Sequence, residues 1–231
     1  MTKILVSVRN VAEALVAAAG GADFIDLKEP RAGALGGLPP GTISAIVAAL
    51  RRSGCTLPIS ATVGDLPPSP LAPVLAQVQA VAACGVDYVK VGIERRPGAT
   101  QLLRALAVCG AAVVPVFIAD HGLDAEDLRL ACDLGFPGLM VDTADKQAGS
   151  LFDVMTPAEL SRFLQAARAA GAMAGLAGAL RLQHLPALRE LAPDFAGFRS
   201  AVCDGDRSAA LDRQRLQVLA EALRGGAVVG A

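Results

Sequence analysis

Short apolar runs, often β-branched, alternate along this chain with longer Ala- and Leu-rich segments of helical periodicity. The short runs predict strands, and longer segments such as Val11–Ala19 and Pro157–Ala170 predict helices. The predicted strands are Lys3–Val8, Phe24–Lys28, Pro58–Val63, Tyr88–Gly92, Ala112–Ile118, Gly138–Thr143, Met173–Gly178 and Phe195–Arg199. Glycines expected to end helices in the left-handed conformation are Gly20, Gly54, Gly85, Gly110, Gly135 and Gly171.

Eight alternating strand–helix units require parallel strands and favour a closed barrel. The alternative is an open doubly wound sheet, which usually carries a glycine-rich phosphate loop after its first strand; Arg9 and Asn10 stand there instead. We therefore predict the α/β class and a single (β/α)8 TIM-barrel domain over residues 1–231. The long connections Glu29–Gly41 and Gly64–Pro70 follow strands, so they are expected to build the active-site face.

Composition narrows the class of protein. Apolar residues make up 53% of the chain, and a net charge of -1 with interleaved signs argues against a nucleic-acid partner. No apolar run approaches the ~18 residues that a membrane span needs, and Arg9 and Glu13 interrupt the first apolar stretch. The expectation is a soluble cytoplasmic protein. Because the cysteines lack C-x-x-C spacing and His121 and His184 lack partners, neither metal nor cofactor is expected.

Lysine is scarce, and its positions are informative. Only four of the 21 basic residues are lysines, and Lys28, Lys90 and Lys146 lie at or just beyond the ends of the second, fourth and sixth predicted strands. A GC-rich coding bias would also make lysine scarce. Alternate strands of a barrel contribute to the same layers, however, so these amines are expected to meet at one mouth. Unlike arginine, a partly buried lysine can lose its proton and attack a carbonyl.

Carboxylates accompany these lysines. A period of two places Asp26 on the same side of its strand as Lys28, and Asp142 is expected to point inward as well. A buried charge is costly unless it is paired, so Asp–Lys pairs are predicted, either catalytic or purely structural. Clustered cations also lower one another's pKa, which would free an amine. For Tyr88, two residues before Lys90, packing is favoured over catalysis.

The seventh and eighth predicted strands end in residues that suit a phosphate group. Barrel enzymes often hold phosphate with the loops at this point, where glycine permits close backbone approach and arginine adds charge. Arg207 would otherwise be a solvated residue at a helix start. The predicted phosphate-binding residues are Gly178, Arg199, Ser200, Asp206 and Arg207.

The chain resembles the (5-formylfuran-3-yl)methyl phosphate synthase family, also called 4-(hydroxymethyl)-2-furancarboxaldehyde-phosphate synthases. The resemblance rests on Ile25–Pro30, Ser60–Asp65, Tyr88–Gly92, Asp142–Thr143, Leu176–Gly178 and Arg199–Arg207. It implies a lyase that condenses two molecules of glyceraldehyde 3-phosphate in the biosynthesis of methanofuran-type cofactors. It also implies that Lys28 forms a Schiff base, that Lys90 accepts protons and that Lys146 is a further active-site lysine. Ala179 and Ser200 differ from the expected Ser and Gly.

These interpretations combine into one hypothesis. The ketone form of a triose phosphate condenses with Lys28, and the enamine then adds to the aldehyde of a second triose phosphate. Two alternatives stay open: a class I aldolase acting on another sugar phosphate, and a non-catalytic phosphosugar-binding barrel. A small phosphorylated substrate is expected in each case, and the protein is expected to be a homo-oligomer.

Overall fold

The computed structural model describes residues 1–145 and 149–225. Its strands are all parallel and close into a barrel in chain order, with the first strand paired to the last. The predicted TIM barrel is therefore confirmed. The strands are β1 (Lys3–Val8), β2 (Phe24–Leu27), β3 (Ile59–Thr62), β4 (Tyr88–Ile93), β5 (Val113–Ile118), β6 (Gly138–Asp142), β7 (Met173–Leu176) and β8 (Phe195–Phe198).

Helices connect successive strands around the outside of the barrel. None in the described ranges is long and apolar enough to cross a membrane. They are α1 (Val11–Gly20), α2 (Pro40–Arg52), α3 (Leu71–Ala82), α4 (Ala99–Ala107), α5 (Ala125–Asp133), α6 (Leu151–Val154), α7 (Pro157–Ala169), α8 (Leu185–Leu191) and α9 (Arg213–Gly225).

The ends of the first helix show how the sequence sets these bounds. The Asn10 side chain accepts a hydrogen bond from the Glu13 backbone N–H and so caps the start of α1. Gly21 follows the last helical residue and caps the helix, and its φ of 105° is accessible at low cost only to glycine. The prediction that Gly20 is the capping residue is wrong by one position, because Gly20 is still helical. The other five predicted capping glycines do have positive φ.

The strand predictions differ from the structure by at most two residues at either end. The most informative difference is at β2, which ends at Leu27, so Lys28 is the first residue of the following loop. Its backbone N–H still donates to the carbonyl of Val8 on β1 at 3.1 Å. The Lys28 backbone therefore continues the pairing of β2 with β1, although this residue lies beyond the end of β2 at the mouth of the barrel.

Apolar side chains fill the lower part of the barrel interior. Phe24 and Phe195 contact each other with ring centroids 5.6 Å apart, and Leu5, Val116 and Met140 belong to the same interior cluster. A Cβ on Gly175 would lie 2.1 Å from the Phe195 ring, so glycine there makes room for the ring. Buried polar residues that line the candidate site, such as Asp26, Lys28 and Asp142, lie near the carboxyl ends of their strands.

Candidate active site

Asp26 is the centre of a buried hydrogen-bond network. On the neighbouring strands, Ser60 Oγ donates to its Oδ1 at 2.7 Å and Ser7 Oγ donates to its Oδ2 at 3.0 Å. Lys90 Nζ donates to Oδ1 at 2.9 Å. Burial raises the pKa of Asp26, but the charges of Lys90 and Lys28 and the Ser60 hydrogen bond outweigh burial and hold the pKa below its usual value. Asp26 is therefore ionised at neutral pH.

A second lysine–carboxylate pair spans the barrel mouth. Lys28 follows β2 and Asp142 ends β6, the strand on the opposite side of the eight-stranded barrel. Lys28 Nζ lies 3.5 Å from Asp142 Oδ2, and both residues are buried. The Thr143 backbone N–H donates to Asp142 Oδ1 at 2.8 Å and fixes that carboxylate. Lysine–carboxylate pairs are thus present. Asp26 forms its ion pair with Lys90, on another strand, and Lys28 forms its ion pair with Asp142.

Lys28 and Lys90 line one cavity at the carboxyl ends of the strands. The cavity is open to solvent, and the roughly 500 Å³ of empty space within its bounds includes bulk solvent. The expectation that two amines from different strands share one pocket is confirmed, whereas Lys146 lies outside the described residues. The predicted site residues that line the cavity are Asp26, Lys28, Lys90, Asp142, Gly178, Arg199, Ser200 and Arg207.

Gly178 forms one wall of the cavity, directly after β7. Its φ is 118°, and an added Cβ would lie 3.0 Å from Thr143 Cγ2 and 3.1 Å from Leu151 Cβ. The Gly178 carbonyl also accepts a hydrogen bond from the Leu151 backbone N–H at 2.9 Å. The positive φ therefore favours glycine, and a Cβ at this position would be tight against Thr143 and Leu151.

Arg207 adds a positive charge to the lining of the same cavity. Its Nη2 donates to the carbonyl of Gly33, in the loop after β2, at 3.1 Å. Burial lowers the pKa of Arg207 from its usual value, while the Asp142 carboxylate opposes this shift. A half-buried guanidinium and a glycine backbone in the lining of one cavity are groups that suit an anion.

The Arg199 guanidinium, predicted from the sequence to bind phosphate, makes its hydrogen bonds within the protein. Its guanidinium donates to both carboxylate oxygens of the buried Glu13, at 2.6 and 3.1 Å. The remaining contacts go to the carbonyls of Ser7, Arg207 and Ala209, at 3.0, 2.8 and 2.6 Å. All five N–H donors of the guanidinium are thereby used within the protein. Arg199 lines the cavity, but it ties the loop after β8 to β1 and α1 and has no donor left for phosphate.

The substitution Arg199→Lys is expected to lower the free energy of unfolding by about 2–4 kcal/mol, because an ammonium can replace at most three of these hydrogen bonds and the buried Glu13 loses its bidentate partner. Urea unfolding measures the loss. Arg215→Lys is the matched control, since Arg215 forms only an exposed pair with Asp204 at 3.7 Å and should change stability by less than about 0.5 kcal/mol. A stable Arg199→Lys protein that fails to bind phosphate compounds would contradict the structural role.

Asp206, predicted from the sequence to bind phosphate, is not among the residues that line the cavity. It is exposed, and its carboxylate accepts hydrogen bonds from the Ser208 backbone N–H and Oγ, both at 2.6 Å. These hydrogen bonds lower the pKa of Asp206. Its contacts shape the turn that carries Arg207, and a carboxylate would repel a phosphate group.

Several residues that shape the site were not predicted from sequence. Ser7 and Ser60 share the inward direction of Asp26, a signal available in the alternation of β1 and β3. Asp120, in the turn after β5, accepts hydrogen bonds from the backbone N–H groups of Ala144 and Asp145 at 2.5 and 2.9 Å. It thereby holds the segment that follows Asp142. No local pattern marks Asp120, because its contacts are with another loop.

Among the described residues of the site, the lysine amines are better candidates for chemistry than a metal centre or a thiol. No group of three or more His, Cys, Asp or Glu side chains within residues 1–145 and 149–225 is placed to hold a metal ion. Cys203 is buried near Arg199, and burial raises its pKa to about 11, although the Arg199 charge opposes the shift. Its thiol is therefore protonated at neutral pH. Among the described residues that line the cavity, Lys28 and Lys90 carry amines, a group that can react with a carbonyl.

Solved structures share the fold over nearly the whole chain. Phosphoribosyl anthranilate isomerase from Thermus thermophilus has a TM-score of 0.65 at 18% identity, covering 96% of this chain and 98% of that one. The 3-hexulose-6-phosphate synthase from Salmonella typhimurium has a TM-score of 0.64 at 19% identity, covering 96% and 100%. At these identities the two structures show the barrel fold alone.

Sequence comparison identifies the family. A (5-formylfuran-3-yl)methyl phosphate synthase from Archaeoglobus fulgidus is 38% identical, covering 96% of this chain and 100% of the relative. The synthase of the same name from Methanocaldococcus jannaschii is 37% identical, covering 94% and 98%. The model of the 4-HFC-P synthase family matches residues 4–220. This chain, with its two lysine–carboxylate pairs at the mouth of the barrel, belongs to the 4-HFC-P synthase family.

Proposed function

We propose that the protein makes (5-formylfuran-3-yl)methyl phosphate from two molecules of glyceraldehyde 3-phosphate, in the biosynthesis of a methanofuran-type cofactor, with Lys28 forming an imine. Family membership supports the product. The observation that carries the chemistry is that Lys28 and Lys90 line one cavity, each within 3.5 Å of a carboxylate. Such an environment positions one amine for attack and another for proton transfer.

The carbon skeleton of the product decides which substrate forms the imine. The phosphate-bearing methylene and the ring carbon that carries it match the ketone triose phosphate, with its carbonyl carbon becoming ring carbon 3. The formyl carbon and ring carbons 5 and 4 match the aldehyde triose phosphate after loss of its phosphate. The proposal therefore places the imine on the aldehyde, rather than on the ketone to which the sequence analysis assigned it.

The steps follow from this assignment. Lys28 Nζ adds to the aldehyde and releases water; the iminium acidifies the neighbouring C–H, and loss of that proton expels phosphate from the next carbon. The resulting enol carbon attacks the carbonyl of the ketone triose phosphate, formed by isomerisation of the second aldehyde. The terminal hydroxyl of the ketone unit then closes the ring. Two waters leave, and water releases the formyl group from Lys28, so that overall one phosphate and two waters are lost.

Lys90 and Asp26 supply proton transfer in this proposal. The ionised Asp26 carboxylate, held by Ser7 and Ser60, keeps the Lys90 amine directed at the cavity. An ammonium in this position donates a proton to a departing oxygen, and the amine it becomes takes a proton from carbon. The family resemblance gives Lys90 the role of proton acceptor and adds Lys146, a residue outside the described ranges.

One substrate phosphate is proposed to bind between Gly178 and Arg207, beside Ser200. Gly178 contributes a residue without a side chain to the cavity lining, and Arg207 contributes a half-buried guanidinium. In this proposal Arg199 acts on the phosphate only by holding the Arg207 loop in place, through the Arg207 carbonyl at 2.8 Å.

Product analysis tests the function directly. Purified protein incubated with glyceraldehyde 3-phosphate is expected to release inorganic phosphate and to form a product with the near-ultraviolet absorbance of a conjugated furan aldehyde. An acyclic aldol product without that absorbance would instead identify a class I aldolase. Binding of the substrate without turnover would identify a phosphosugar-binding barrel. Either result would overturn the proposal.

A further inference from the structure

Two buried serines donate hydrogen bonds to the Asp26 carboxylate, and they differ in their access to the cavity. Ser7 Oγ donates to Oδ2 at 3.0 Å, and Ser60 Oγ donates to Oδ1 at 2.7 Å. Ser7 lines the candidate-site cavity, whereas Ser60 is not among the described residues of its lining. Ser7 is therefore the serine of this pair that a ligand in the cavity can contact.

The position of Ser7 is fixed through both its backbone and its side chain. Ser7 pairs in register with Asp26 on β2, and its carbonyl accepts a hydrogen bond from Arg199 Nη1 at 3.0 Å. The hydrogen bond to Asp26 holds the hydroxyl in turn. The Ser7 hydroxyl thus has a defined place in the lining, beside the carboxylate that also pairs with Lys90.

The hydrogen bond to Asp26 determines what the Ser7 hydroxyl can offer a ligand. An ionised carboxylate accepts hydrogen bonds and cannot donate, so the proton of Ser7 Oγ is directed at Asp26. A hydroxyl has one proton and two lone pairs, so Oγ can only accept from a third group. The negative charge of Asp26 strengthens Oγ as an acceptor. Ser7 therefore suits a ligand group that donates, such as a hydroxyl, and does not suit an ionised phosphate or a carbonyl oxygen.

We propose that Ser7 is a specificity-determining residue, which accepts a hydrogen bond from the hydroxyl next to the aldehyde of the triose phosphate held at Lys28. The proposal rests on the proposed function, from which it takes the substrate. Glyceraldehyde 3-phosphate has a single hydroxyl, on the carbon beside the aldehyde that Lys28 attacks. Lys28 follows β2 and Ser7 lies on the adjacent strand, β1, so the amine and the acceptor line neighbouring parts of one cavity.

This contact selects the substrate and places no limit on the length of the later intermediate. In the proposed steps the hydroxyl stays on its carbon until phosphate has left and the new carbon–carbon bond turns it into a carbonyl. A compound that lacks the hydroxyl leaves the buried Ser7 oxygen without the donor that the substrate supplies. The loss of affinity for such a compound is expected to depend on Ser7.

Two unreactive phosphates of equal chain length test the proposal without requiring catalysis. Glycerol 3-phosphate carries the middle hydroxyl, and 3-hydroxypropyl phosphate lacks only that group. Both are titrated calorimetrically into the natural protein and into Ser7→Ala and Ser60→Ala variants. Each variant removes one hydrogen bond to Asp26, so Ser60→Ala is the matched control for a change in the carboxylate alone.

The natural protein is expected to bind glycerol 3-phosphate about tenfold more tightly than 3-hydroxypropyl phosphate, which is the scale of one hydrogen bond. In Ser7→Ala the two dissociation constants should agree to within about twofold, whereas Ser60→Ala should keep the difference. The proposal is overturned if Ser7→Ala keeps the difference, or if Ser60→Ala loses it as fully. It is also overturned if the natural protein does not discriminate between the two compounds or binds neither.

Should Ser7→Ala not fold, Ser7→Cys keeps a side chain of similar shape whose sulfur is a weak acceptor, and it is expected to lose the discrimination in the same way. A natural protein that discriminates through Ser7 but makes no furan would contradict the proposed function and leave the role of Ser7 standing. Furan formation by a protein without this discrimination would contradict only the role of Ser7.

Discussion

Replacing Lys28 with arginine is expected to reduce furan formation by about 10⁴-fold or more, which is the scale on which loss of a covalent nucleophile acts. A guanidinium stays protonated at any pH the protein tolerates, so it cannot form the imine. The guanidinium still provides a positive charge beside Asp142, whose Oδ2 lies 3.5 Å from Lys28 Nζ in the natural protein. Lys28→Arg is therefore expected to lose furan formation, with little change in the free energy of unfolding.

Borohydride reduction in the presence of glyceraldehyde 3-phosphate, followed by peptide mass spectrometry, measures the imine directly. The natural protein should carry the reduced adduct on Lys28, and Lys28→Arg should carry none. Lys3→Arg is the control, since Lys3 begins β1 at the other end of the barrel, with its Nζ 5.5 Å from the centre of the Phe24 ring. An adduct on Lys90 in the natural protein would show that the two lysines have been assigned in the wrong order.

The second large effect is expected from Asp26→Asn. The amide preserves shape but leaves the buried Lys90 ammonium without its counter-charge, and unpairing a buried ion of this kind costs about 3–5 kcal/mol of unfolding free energy. Because Lys90 also loses its orientation, furan formation is expected to fall by about 10²–10⁴-fold. Urea unfolding at pH 7 and steady-state assays measure the two effects. Asp133→Asn, at an exposed helix end, should change both by little.

The loss of stability should depend on pH with a definite sign. The pKa of Asp26 lies below its usual value of 3.8 in the folded protein, so its charge stabilises the fold at any pH above the unfolded value. This contribution disappears as pH falls through the folded-state pKa. The difference in unfolding free energy between the natural protein and Asp26→Asn should therefore be largest near pH 7 and shrink toward about pH 3. An equal difference at both pH values would show that Asp26 does not act through its charge.

Much of the fold was accessible from the sequence because a barrel repeats one local pattern. Short apolar runs between longer helical segments located every strand to within two residues at each end. The alternation of side-chain direction along β2 placed Asp26 on the same side as Lys28. Strand ends also placed Lys28 and Lys90 at one mouth, since the carboxyl ends of parallel strands meet there. Each of these inferences needs only local direction and chain order.

Pairings between distant loops were not accessible in this way. Periodicity cannot show that Lys28 lies within 3.5 Å of Asp142 across the barrel. Nor can it show that Arg199 donates hydrogen bonds to Glu13, a residue 186 positions earlier. It also cannot show that Leu35, in a connection that looked polar, turns back into the interior. These contacts depend on how side chains from separate units meet once the barrel has closed, and the local sequence around each residue contains no record of its partner.

The contacts between the last strand, β8, and the start of the chain affect the order in which the cavity is completed during translation. Arg199, which follows β8, is bonded to the Ser7 carbonyl and to Glu13 near the start of the chain. A nascent polypeptide that has emerged as far as β6 already contains both lysine–carboxylate pairs, yet the walls formed by Gly178 and Arg207 are still inside the ribosome or unmade. A chain that ends after β6 therefore contains Lys28 and Lys90 but lacks the part of the cavity lining that Gly178, Arg199 and Arg207 provide.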